Sequence, residues 1–188
     1  MTSDQSLLLL GLAPAITRRW LARLSEPQRH YHTRAHVEAM LANLPPADAT
    51  REMIAAIWLH DIVYDPKASD NEEMSAKVAQ QDLAGSDIAI ASVVELILGT
   101  KRHEPGSETQ NLLNDLDLGI LGAPPPGYAR YAHQIRLEYA HVPTPQYHAG
   151  RAAVLRAFDQ KQIFQTERFA HLEERAHKNL RAEIARLQ

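Results

Sequence analysis

Apolar residues recur at intervals of three and four along almost the whole chain, and prolines fall mostly between these periodic segments. A chain patterned in this way buries its apolar stripes as packed helices. With only 8 glycines against 11 prolines in 188 residues, its helices must end mainly at prolines and capping side chains.

Pro14 suits the first turn of a helix reaching about Leu24, with Ile16, Trp20, Leu21 and Leu24 on one face. Thr33 is placed to cap a helix over 34–44, which Pro45 and Pro46 end. Asp48 can cap 49–64, the most apolar segment and therefore the expected central helix, with Pro66 beyond it. Asn71 can cap 72–84, and Gly85 is its stop. Ser86 or Asp87 starts 88–98. That segment is rich in β-branched residues, but Ile90, Val93, Val94, Ile97 and Leu98 are spaced as a helix. Residues 101–110 read as a loop, helical spacing resumes over 110–121, and Gly122 to Gly127 form a break. Helices are expected over 128–142, 146–158 and 167–188, the last carrying Glu174 and Lys178 as an i, i+4 pair. The expected architecture is all-α: a single compact domain over 1–188, its core at about 28–142 and the helices of 146–188 packed on it.

Composition narrows the function. Twenty Lys and Arg against 23 Asp and Glu give a net charge of −3 with no basic stripe, so nucleic acid is not an expected partner. No apolar run approaches the ~18 residues of a membrane span. There is no cysteine, which removes disulfides, thiolate nucleophiles and Cys-based zinc sites, while histidine is plentiful at ten. Ala13-Pro14-Ala15 follows an apolar run in the manner of a cleavage site. The residues before that run contain Asp4 and no Lys or Arg, so a cytoplasmic location is expected.

Candidate metal ligands cluster in four places: 30-HYHTRAH-36, His60-Asp61, His103-Glu104 and 115-DLDLGILG-122. His60 and Asp61 end an apolar string, and Asp115 and Asp117 break another. Buried polar groups at such positions need partners, and coordination to a metal supplies them.

The order His36, His60-Asp61, Asp117 resembles the H…HD…D signature of the HD superfamily of metal-dependent phosphohydrolases. The strings 31-YHTRAH-36, 58-WLHDIVYDP-66, 71-NEEMSA-76, 96-LILGTK-101, 115-DLDLGILG-122 and 135-IRLEYAHV-142 are similar to a bacterial group of HD-domain phosphohydrolases without an assigned substrate. The likeness extends from about residue 28 to the C-terminus. It implies an all-helical HD-like fold and His36, His60, Asp61 and Asp117 as metal ligands, with Asp115 as the fallback for the last. In guanosine-tetraphosphate hydrolases of the superfamily a Glu-Asp pair follows the His-Asp. This chain has Tyr64-Asp65 there, which argues against that substrate.

Two neutral imidazoles and two carboxylates would give a dication a neutral N and O shell, suited to Mn²⁺, Fe²⁺, Co²⁺, Ni²⁺ or Zn²⁺ over Ca²⁺, with Mg²⁺ also admissible. Open positions would admit a water of lowered pKa as the nucleophile on phosphorus. Asp65, placed one helical turn past Asp61, is the candidate to orient that water, and otherwise a turn-forming acid before Pro66. His32 is a second catalytic candidate, or else a capping residue. Lys101, His103 and Arg136 are candidates for holding phosphate oxygens, against the plainer roles of helix-end cations and a salt bridge. Glu72 reads chiefly as a capping residue. The expected function is hydrolysis of a phosphate ester, a nucleotide among the candidates, with a small phosphorylated substrate as partner and a homodimer compatible. The alternatives are a metal- and nucleotide-binding sensor module without turnover, and a purely structural metal site with four protein ligands.

Overall fold

A computed structural model describes all 188 residues. It is entirely helical, with no strand, and none of its helices is long and apolar enough to cross a membrane. The chain divides into two compact units, Met1–Leu116 and Asp117–Gln188, with the boundary inside a helix.

The first unit contains α1 (Ser3–Leu10), α2 (Pro14–Arg23), α3 (Arg34–Asn43), α4 (Arg51–Leu59), α5 (Asn71–Asp82), α6 (Ile90–Gly99) and most of α7 (Glu108–Leu118). The α4 helix is its axis. Every residue from Met53 to Leu59 is buried, and α1, α3, α5 and α6 pack around it. Such a helix cannot show a polar face, which is why its sequence reads as nearly continuous apolar residues. Both indole N–H groups of this core are paired. Trp58 Nε1 donates to Ser6 Oγ at 2.9 Å, and Trp20 Nε1 donates to Asp82 Oδ2 at 2.7 Å. The apolar N-terminal run forms α1, opened by a Thr2–Gln5 capping box and closed at Gly11, whose φ of 64° is in the left-handed region that favours glycine.

The central helix is shorter than its sequence suggests. It begins after Thr50, whose side chain accepts from Met53 N, and it ends at Leu59 rather than near Tyr64. Beyond it the backbone makes other bonds. The Asp61 and Ile62 carbonyls accept from the Arg29 guanidinium, and Val63 N donates to Ser75 Oγ. These partners satisfy the backbone in an irregular turn, and the helix does not continue.

The second unit holds a 3-10 turn (Gly119–Gly122) followed by α8 (Pro125–Glu138), α9 (Thr144–Asp159), the short α10 (Glu167–Ala170) and α11 (Glu173–Leu187). The break expected through Gly127 is only Ala123 and Pro124, because Pro125 occupies the first helical turn, where no N–H is needed. The helix expected over 167–188 is interrupted at His171–Leu172. The Glu173 carboxylate accepts from Ile163 N and Phe164 N, which ties the start of α11 to the preceding loop. The 3-10 turn lies against α11. A Cβ at Gly122 would stand 2.6 Å from Leu172 Cβ, so only glycine fits there. A buried network of Tyr128, Arg151 and Glu183 links α8, α9 and α11, with Tyr128 Oη 2.6 Å and Arg151 Nε 2.9 Å from the Glu183 carboxylate. Burial first, and then the Glu183 charge, push the Tyr128 hydroxyl far above the usual tyrosine range.

Candidate metal centre

Two helices and one turn of the first unit bring His36, His60 and Asp61 together. His36 lies in the first turn of α3 and is buried. His60 is the residue at which α4 stops, and its side chain is 1% exposed. Asp61 follows in the turn, with its side chain 20% exposed toward solvent. Ending α4 at Leu59 frees residue 61 from helical geometry. Two adjacent residues can then present their donor atoms to one point, which a continued helix would turn about 100° apart.

His36 Nε2 is 3.2 Å from His60 Nε2, and His60 Nε2 is 3.0 Å from Asp61 Oδ2. The three residues offer ligand atoms all within 4.8 Å of one another. For metal–ligand bonds of about 2.1 Å, two donors at a right angle stand about 3.0 Å apart and at the tetrahedral angle about 3.4 Å. The two spacings of 3.2 and 3.0 Å fall in that range, so the group could hold a single ion. Hydrogen bonding explains why these atoms point inward. His60 Nδ1 lies 3.0 Å from the Ile57 carbonyl, which can only accept, so the ring's proton is on Nδ1. Nε2 then directs a lone pair at a carboxylate oxygen and at a second ring nitrogen. Such a convergence of acceptors needs a cation at its centre, either a proton or a metal ion.

The group therefore passes the chemical test for a divalent ion: two imidazoles and a carboxylate, mixed N and O, in a partly open turn. A dication held by one carboxylate and two neutral imidazoles keeps one net positive charge, which favours an anionic ligand.

His32 stands at the rim. Its Nε2 is 4.0 Å from Asp61 Oδ2, and its ring stacks on Tyr64 with centroids 4.0 Å apart at 26°. Tyr31 packs its ring 4.9 Å from that of His36. Asp117 is the penultimate residue of α7 and opens the second unit. Asp115 is fully buried on the same helix. Because α4 ends at Leu59, Asp65 is not one helical turn along from Asp61. It is exposed, its Oδ1 accepts from Lys67 N at 2.9 Å, and its backbone is held at both N and O by the Asn71 side chain. Those bonds are those of a turn-forming acid.

The expected phosphate-binding cations have other engagements. Lys101 donates to Glu73 and to the Ser69 carbonyl, with Glu72 3.8 Å away. The Glu73 carboxylate raises its ammonium above the usual lysine range. His103 sits in the turn after α6 with φ of 47°, in the left-handed region. Arg136, in the second unit, donates to the Tyr139 and Val142 carbonyls at the end of α8 and lies over the Tyr147 ring.

Arg29 has no counterpart among the residues expected from sequence. It is 5% exposed and bonds to backbone on both sides of the centre. It stands just before the histidine cluster, but no side-chain pattern marks it, because its principal partners are carbonyls that every residue carries. Comparison with protein-family models, curated proteins and solved structures found no match to this chain.

Proposed function

We propose that the chain is a metal-dependent phosphohydrolase of the HD type, cleaving the phosphate ester of a small molecule with water. The observation that supports this reading is the convergence of His36 Nε2, His60 Nε2 and Asp61 Oδ2 at a partly exposed turn. A divalent ion, when bound, supplies Lewis acidity toward a phosphoryl oxygen and lowers the pKa of a water. The residues of the chain do the rest. His36 and His60 bind as neutral imidazoles, the latter fixed by the Ile57 carbonyl. Asp61 contributes a negative charge. His32 can take up or return a proton at Nε2, 4.0 Å from Asp61 Oδ2, and its ring is held there by stacking on Tyr64.

One observation favours a second reading, a module that binds metal and a phosphorylated ligand without turnover. Tyr64 stands where an acid would support catalysis, and the Asp65 carboxylate is bonded within its own turn. Phosphate release from a panel of nucleotides and sugar phosphates, with Mn²⁺, Co²⁺ or Ni²⁺ added, separates the two. Metal-dependent release that His60→Ala abolishes supports the hydrolase. Ion binding with no release across the panel supports the sensor. Absence of any ion binding overturns both.

A further inference from the structure

Arg29 is a buried cation of the first unit, 5% exposed. Its guanidinium sends Nη1 to the His32 carbonyl at 3.0 Å and to the Asp61 carbonyl at 2.7 Å, Nη2 to the Ile62 carbonyl at 3.0 Å, and Nε to Glu26 Oε2 at 3.2 Å. Four of its five N–H donors are thus directed at protein oxygens. One nitrogen joins residues 32 and 61, so a single planar group sets the spacing between the segment leading into α3 and the turn leaving α4. Its guanidinium carbon also lies 5.7 Å from the centroid of the Tyr64 ring, the ring on which His32 stacks. The released carbonyls after α4 are also where a helix dipole favours a positive charge.

We infer that Arg29 is the positioning residue of the metal centre: it clamps the two ligand-bearing segments together and so fixes the distance from His36 to His60 and Asp61. The inference rests on the metal-centre reading above. A lysine cannot take its place, because an ammonium is a point charge without the planar fork that spans three carbonyls. Loss of the clamp lets the turn of residues 60–62 relax. The ligands remain present but no longer converge.

The test uses the full chain and Co²⁺ as the probe. Co²⁺ affinity and its visible absorption spectrum are compared in wild type, Arg29→Lys, Arg29→Met and the control Arg51→Met. Arg51 likewise donates to a backbone carbonyl, that of Leu10, and pairs with Asp87, but it has no bond to the centre. We expect both Arg29 variants to bind Co²⁺ about 10–100-fold more weakly, with an altered spectrum, as for loss of groups that orient ligands. Arg51→Met should keep wild-type affinity even if it melts lower. Wild-type affinity and spectrum in Arg29→Lys and Arg29→Met would overturn the inference and leave the metal centre standing. Failure of wild type itself to bind Co²⁺ would overturn the metal centre, and the inference with it. Should Arg29→Met not fold, Arg29→Lys alone decides, because it retains the buried charge.

Discussion

Replacing Asp61 by Ala separates the metal centre from an ordinary surface contact. The Asp61 side chain is 20% exposed and faces His60 Nε2 at 3.0 Å, while its backbone carbonyl is held independently by Arg29. Without metal, the substitution removes a partly exposed carboxylate 3.0 Å from His60 Nε2 and 4.0 Å from His32 Nε2, and leaves the backbone bond in place. The cost should be below about 1 kcal/mol. With metal the effect is of another order. An ion present at one hundred times its dissociation constant stabilises the folded state by about 2.7 kcal/mol. For a chain of 188 residues, at about 2–4 °C per kcal/mol, wild type should melt about 5–11 °C higher in saturating Mn²⁺, Co²⁺ or Zn²⁺ than in EDTA. Asp61→Ala should melt within a few degrees of wild type in EDTA and gain almost nothing from metal. Thermal melts of the two proteins, with metal content measured after desalting, read both quantities. A full metal-dependent gain in Asp61→Ala would refute the assignment of Asp61 as a ligand.

Three further outcomes follow from the geometry. Asp65→Asn should retain metal affinity and stay within about twofold of wild-type activity, because an amide oxygen can still accept from Lys67 N; a loss of ~10²-fold in steady-state turnover would restore Asp65 as the proton acceptor. Glu183→Ala should cost about 3–5 kcal/mol in urea denaturation, since it leaves the Arg151 guanidinium buried without its carboxylate, and a cost under 1 kcal/mol would contradict that network. Burial raises the Asp159 carboxyl, but hydrogen bonds from Arg181 and His177 outweigh it and hold the group below its ordinary 3.8. Its contribution is therefore present above about pH 4 and lost as pH falls through the depressed value, so Asp159→Asn should be less stable than wild type at pH 7 and equal to it at the acid end of a pH–stability curve.

The sequence discloses this fold where local rules decide it. The 3.6-residue spacing marks α2, α3, α5, α6 and α9 closely; Gly85 falls just past a helix end with positive φ, and Thr33 takes the N-cap position of α3 without a side-chain capping bond. It misleads where a distant group decides. Nothing between Arg51 and Tyr64 signals a stop, since the string lacks Gly and Pro. The end of α4 is imposed by Arg29 and Ser75, from segments 32 and 12 residues away. The split between α10 and α11 has the same origin in the Glu173 carboxylate. The candidate site follows this pattern. His36, His60 and Asp61 are visible as polar residues on or beside apolar helices, and the structure brings them together. Asp65 falls one turn past Asp61 only in a continuous helix, which α4 is not beyond Leu59, and Lys101 has partners in Glu73 and Ser69 that no local pattern announces.

The central claim is that His36, His60 and Asp61 hold one divalent ion. The most direct measurement is a crystal structure of the Zn²⁺- or Mn²⁺-loaded protein with anomalous data collected at the absorption edge of the metal. The account predicts one strong peak about 2.0–2.3 Å from His36 Nε2, His60 Nε2 and Asp61 Oδ2. A peak elsewhere, or none at these three atoms under saturating metal, would contradict it.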